Sequence, residues 1–149
     1  MKFSIQRWRP NGNRRAPNLR NQLPKRRLWR ERQGQMAKVL LAEDDSTMVS
    51  LLKTLLKMEG FEVLALDVNS DVPSVVQQEK PHALFMDVHL GGQSGMEILD
   101  TIRKQKDLSD VRIVMTSGLN VREECINRGA NAFLLKPFMP DDLIRALKQ

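Results

Sequence analysis

The sequence predicts an α/β domain, a doubly wound five-stranded parallel sheet with helices on both faces. Three observations predict it. From Met36 onward, short apolar runs alternate with segments whose apolar residues recur at helical spacing. Five strands separated by helices imply crossover connections, and crossovers favour parallel pairing. Strands one, three and four are apolar almost without interruption, as central strands buried on both faces must be.

The elements follow in order. Lys38–Ala42 (KVLLA) reads as a buried strand. Ser46–Glu59 reads as a helix with Met48, Leu51, Leu52, Leu55 and Leu56 on one face and Gly60 as its stop. Phe61–Leu66 is the second strand. Asn69–Glu79 is a short helix with Pro73 in its first turn, where a missing N–H costs little. Ala83–Val88 is the third strand, and a glycine-rich loop leads to a helix over Gly95–Lys104. Val111–Thr116 is strand four, Asn120–Arg128 a helix, Ala132–Leu135 strand five and Pro140–Lys148 the last helix.

Composition narrows the class. The chain has 149 residues, of which 41% are hydrophobic, and no apolar run approaches the ~18–20 residues of a membrane span. Cys125 is the only cysteine, so an internal disulfide is excluded and a reducing cytoplasm is the natural compartment. The net charge of +6 divides unevenly. Residues 1–35 carry eleven Lys/Arg against Glu31, a net +10, which leaves −4 on the remainder. Pro10, Pro17 and Pro24 break any helix in that leader, and no apolar period persists, so residues 1–35 read as a disordered basic segment.

Ligands of open parallel sheets sit beyond the carboxyl ends of the strands. Strand one delivers Glu43, Asp44 and Asp45 there, strand three Asp87, strand four Thr116 and Ser117, and strand five Lys136. Several carboxylates in one crevice repel, and a single lysine does not balance them. Hard oxygen ligands without histidine nitrogen or thiolate favour Mg²⁺, with Mn²⁺ the other candidate. Mg²⁺ keeps positions open for phosphate oxygens, so phosphoryl chemistry is the natural use of such a cluster.

The segments VLLAEDDSTM, LFMDVHL with SGMEIL, IVMTSG and FLLKPF resemble, in order and spacing, the signature regions of bacterial two-component response-regulator receiver domains. The resemblance covers nearly all of residues 37–149. It implies a flavodoxin-like fold with strand order 2-1-3-4-5 and a phosphoryl group accepted on Asp87. Glu43, Asp44, Asp87 and the backbone carbonyl of His89 would be the Mg²⁺ ligands. Thr116 would hydrogen-bond the phosphoryl group, Lys136 would pair with it, and Phe133 stands where the family has its switch aromatic. The implied partners are a sensor histidine kinase or phosphotransfer protein and a downstream protein target. The implied chemistry is confined to Asp87 itself, so the chain is not expected to act as an enzyme on other molecules. Because the last helix ends the sequence, a stand-alone, chemotaxis-regulator-like receiver is expected.

Departures from the common pattern lie after Asp87, where Gly91 replaces a usual proline and Ser94 a frequent aspartate. Gly91-Gly92 predicts a mobile loop, and His89 is an unusual neighbour for the phosphoryl group. Other residues have simpler readings. Asp45 reads as a helix-start residue and His82 as a surface residue at a strand entry. Cys125 reads as a small apolar residue, and Met48, Met58, Met86, Met96 and Met115 as core filler.

The leader admits several readings: upstream sequence before a true start at Met36, a plain disordered tail, a transit peptide, or a nucleic-acid-binding tail using Trp8 and Trp29. A nucleic-acid-binding regulator is therefore the alternative function. A flavodoxin-like redox module fits the fold but lacks a phosphate-cradling loop after strand one.

Overall fold

The structure, a computed structural model, describes residues 36–149, and the basic leader lies outside the described residues. Five parallel strands form one sheet: β1 (Lys38–Ala42), β2 (Glu62–Ala65), β3 (Ala83–Asp87), β4 (Arg112–Ser117) and β5 (Ala132–Leu135). Their order is β2-β1-β3-β4-β5, the order that the family resemblance implies. The helices between and after them are α1 (Ser46–Met58), α2 (Val72–Glu79), α3 (Gly95–Arg103), α4 (Arg122–Asn127) and α5 (Pro140–Lys148). None of these helices is long and apolar enough to cross a membrane.

The period-2 alternation of the strands divides the core into two layers. Leu40, Leu84, Met86, Ile113 and Met115 point to one face, where α2, α3 and α4 contribute Val76, Leu99, Ile102 and Cys125. Val39, Leu41, Phe85 and Val114 point to the other, against Leu52 and Leu56 of α1 and Leu143 and Leu147 of α5. Phe85 stacks edge-on with Phe138, ring centroids 5.7 Å apart. Each fully buried Leu or Phe contributes roughly 1.5–3 kcal/mol relative to exposure, so the two layers hold the sheet from both sides.

Several boundaries differ from the sequence expectations for identifiable reasons. Helix α1 stops at Met58, with Glu59 as its cap and Gly60 at φ 91°. Leu51 and Met58, expected on the buried face, are exposed, since α1 buries a stripe centred on Leu52 and Leu56. Helix α2 starts at Val72 rather than Asn69, because the Asp71 carboxylate accepts from Ser74 N–H. Asn69 and Ser70 are instead held in a turn by Asp67. Helix α4 is trimmed to Arg122–Asn127, its exit made by Gly129 at φ 108°. Strand β4 runs one residue further, to Ser117, and β2 loses Phe61, which turns into the core.

The glycine-rich stretch after Asp87 forms a short hairpin. His89–Leu90 and Gln93–Ser94 pair antiparallel around Gly91-Gly92, with Gly91 at φ 56°. Leu90 is fully buried and anchors this hairpin in the core. Gly-Gly between two short runs is a hairpin signal, and the burial of Leu90 decides in its favour.

Candidate functional site

The parallel register brings the predicted residues to one end of the sheet. Ala42 pairs with Met86, so Glu43 and Asp87 leave adjacent strands side by side. Asp87 pairs in turn with Thr116, and Thr116 with Leu134, two residues before Lys136.

Lys136 is the hub. Its Nζ lies 2.5 Å from Asp87 Oδ2 and 3.0 Å from Glu43 Oε2. Backbone amides supply the remaining donors: His89 N–H to Asp87 Oδ1 at 2.8 Å, Asp45 N–H to Glu43 Oε1 at 3.2 Å, and Gly91 N–H to Asp44 Oδ2 at 3.3 Å. Glu43 and Asp87 are buried, whereas Asp44 is exposed. Carboxylate oxygens of Glu43, Asp44 and Asp87 all come within 4.8 Å of one another, a spacing that one cation can bridge. An all-carboxylate donor set of this kind suits a hard divalent ion.

The electrostatics agree with that use. Burial pushes the Glu43 carboxyl above its ordinary range and nearby Asp87 adds to the rise, while the bonds from Lys136 and Asp45 oppose it. Burial works against the Lys136 charge, but its bonds to Asp87 and Glu43 outweigh that and raise its pKa. One ammonium thus pairs with two of the three clustered carboxylates, and the cluster remains short of positive charge.

Thr116 is buried on the strand beside Asp87, and its hydroxyl donates to Leu134 O at 2.8 Å rather than to the carboxylate. Phe133 is buried, and its carbonyl accepts from Arg122 Nη2 at 3.1 Å. His89 is exposed beside Asp87. Gly95 is required where it stands, since a Cβ there would meet Asp87 O at 2.2 Å.

Asp45 caps α1 through Thr47 and Met48 amides, as expected of a helix-start residue. Cys125 is buried against Met96, also as expected. His82 is half-buried rather than on the surface, with Nε2 3.4 Å from Leu147 O. Two contributors escape sequence reasoning. Arg122 reaches the backbone beside the aromatic Phe133, and Gln93 ties the hairpin to the β2–α2 loop. Both act through long-range bonds to backbone carbonyls, which leave no periodic trace.

A response regulator receiver domain model matches residues 39–148. The chain is similar to the chemotaxis response regulator CheY4 of Vibrio cholerae, at 25% identity and TM-score 0.69, covering 76% of this chain and 98% of that one. It is similar to the receiver domain of a sensor histidine kinase of Pseudomonas aeruginosa PAO1, solved with a magnesium ion in its active-site cleft. That match has 26% identity and TM-score 0.67, over 76% of this chain and 95% of the other. A response regulator of Burkholderia pseudomallei, carrying a phosphorylated aspartic acid and a calcium ion, matches at 25% identity and TM-score 0.66. It covers 74% of this chain and 66% of that one. The sheet order, the acidic cluster beside Lys136 and a family match over residues 39–148 lead to one conclusion: this chain belongs to the response regulator receiver domain family.

Proposed function

We propose that residues 36–149 form a receiver that accepts a phosphoryl group on Asp87 and signals by the resulting change of shape, residues 1–35 being a separate basic leader. The observation that carries this reading is the placement of Asp87 between Lys136 Nζ and the carboxylates of Glu43 and Asp44. The donor is a phosphohistidine of a sensor kinase or phosphotransfer protein, and the readout is contact with a downstream protein in the cytoplasm. Chemistry is confined to Asp87, so the chain modifies only itself.

Glu43, Asp44 and Asp87, joined by the His89 backbone carbonyl, would hold Mg²⁺, with Mn²⁺ as the alternative. Held there, such an ion would neutralise charge on the phosphoryl oxygens. An Asp87 carboxylate oxygen forms the new bond to phosphorus as the bond from phosphorus to the donor imidazole nitrogen breaks. The electron pair leaves with the imidazole, and an acyl phosphate remains on Asp87. Lys136 needs little movement to meet the incoming negative charge, since it already touches Asp87. Thr116 must exchange its bond to Leu134 O for one to a phosphoryl oxygen. That exchange frees the β5 backbone next to Phe133, and the aromatic ring follows, giving a local charge event with a distant readout.

The nucleic-acid alternative rests wholly on residues 1–35, which lie outside the described residues. Phosphotransfer from a histidine-phosphorylated donor tests the proposal. One phosphoryl group per chain is expected, and none on Asp87→Asn. Equal labelling of both would overturn the assignment.

A further inference from the structure

The hairpin after β3 touches two of the three carboxylates through its backbone: His89 N–H meets Asp87 Oδ1, and Gly91 N–H meets Asp44 Oδ2. The direction of both amides depends on where the hairpin stands. Two features fix it. Leu90 is buried in the core and sets the depth. Gln93, its partner across the turn, sends its side-chain amide outward to the β2–α2 loop, donating to Val68 O at 2.7 Å and Ser70 O at 3.2 Å. That loop also closes over the turn from the other side, for a Cβ at Gly91 would lie 3.5 Å from Val68 Cβ.

Both N–H donors of the Gln93 amide are thus used on backbone carbonyls 25 and 23 residues earlier in the chain. Two bonds of this kind hold a two-residue turn that contains two glycines and would otherwise have wide backbone freedom. The β2–α2 loop they reach is itself closed by the Asp67 turn and the Asp71 cap. Gln93 therefore braces the hairpin against a fixed neighbour.

We propose that Gln93 is a positioning residue for the metal site. By holding the hairpin, it fixes the backbone of residues 89–91 against Asp87 and Asp44, so that the carboxylates are set for a divalent cation before it arrives. The inference rests on the metal reading of Glu43, Asp44 and Asp87 given above. Residues that orient metal ligands without touching the ion typically change affinity by 10–100-fold. Gln93 acts one step further out, so about a tenfold loss is expected.

The test is a calorimetric Mg²⁺ titration of the full chain, wild type against Gln93→Met, which keeps length and removes both donors. Gln77→Met is the matched control, because it deletes a comparable amide bond, to Asp107 Oδ2 at 2.6 Å, away from the site. Gln93→Met is expected to bind Mg²⁺ about tenfold more weakly, with Gln77→Met unchanged. Amide exchange at Gly91 is expected to speed up in Gln93→Met without Mg²⁺. Equal Mg²⁺ affinity in wild type and Gln93→Met would overturn the proposal, even if the melting temperature fell. Should Gln93→Met be too unstable to titrate, Gln93→Leu also removes the donors without adding charge and is read in the same way. Absence of Mg²⁺ binding by wild type would instead overturn the metal reading itself.

Discussion

Lys136 Nζ lies 2.5 Å from Asp87 Oδ2, joining two residues that the sequence separates by 49 positions. Parallel register brings Asp87 and the end of β5, one residue before Lys136, to the same edge of the sheet. Lys136 holds Glu43 as well, so a single ammonium stabilises two buried carboxylates.

Removing that ammonium exposes the charge problem. Lys136→Met is expected to destabilise the Mg²⁺-free protein by about 1–3 kcal/mol, the cost of leaving buried charged partners unpaired. The lower part of that range applies because the Lys136 side chain is 24% exposed. Urea unfolding measures the loss. Added Mg²⁺ is expected to recover part of it by supplying the missing positive charge.

Divalent ions should stabilise the wild type in their own right. A ligand that binds only the folded state adds about 2.7 kcal/mol at a hundred times its Kd. Thermal unfolding with increasing Mg²⁺ is expected to show a rising midpoint, and the rise should be much smaller in Asp44→Asn, which lacks one of the clustered charges.

Gly95 tests the local geometry. A methyl group there would meet Asp87 O at 2.2 Å and Val88 Cα at 2.9 Å, both backbone atoms that cannot swing aside. Gly95→Ala is therefore expected to cost about 1–3 kcal/mol by overpacking and to weaken Mg²⁺ binding, because the strain falls on Asp87 itself. Denaturant unfolding and the Mg²⁺ titration together check it.

The strand ends were legible because each follows an apolar run: Glu43 after VLLA, Asp87 after ALFM and Lys136 after AFLL. Crossover handedness then narrows the topologies to a few, and the strand order itself rests on the family resemblance. What stayed illegible was set by tertiary contact. Leu51 and Met58 belong to the helical pattern of α1, yet the sheet accepts only the stripe around Leu52 and Leu56. Nothing local to Gly91-Gly92 reveals the hairpin, the burial of Leu90 or the bond from Gln93 to a loop 25 residues earlier. Thr116 was placed correctly on its strand, but its partner, Leu134 O, is chosen by the packing of β5.

His82 gives the fold a pH dependence. Burial lowers its pKa below the ordinary 6.5, as does neighbouring Arg112, while the bond to Leu147 O opposes both. The unfolded chain therefore takes up the proton more readily than the folded one. The stability this residue contributes is fully present above the unfolded pKa and is lost as pH falls below it. Urea midpoints are expected to drop between pH 7.5 and pH 5.5, and His82→Gln should flatten that part of the profile.

His89 is exposed two residues after Asp87, and its backbone N–H bonds Asp87 Oδ1. The half-life of the phosphorylated protein is expected to change in His89→Asn, followed by loss of label over time. An unchanged half-life would remove the imidazole from the hydrolysis step.

The central claim is that Asp87 accepts a phosphoryl group with a divalent ion held beside it. Intact-mass analysis after incubation with acetyl phosphate and Mg²⁺ tests it most directly, comparing wild type with Asp87→Ala. One phosphoryl adduct on the wild type is expected, absent from Asp87→Ala and absent when Mg²⁺ is withheld. An adduct of equal yield on Asp87→Ala, or on wild type without any divalent ion, would contradict the account.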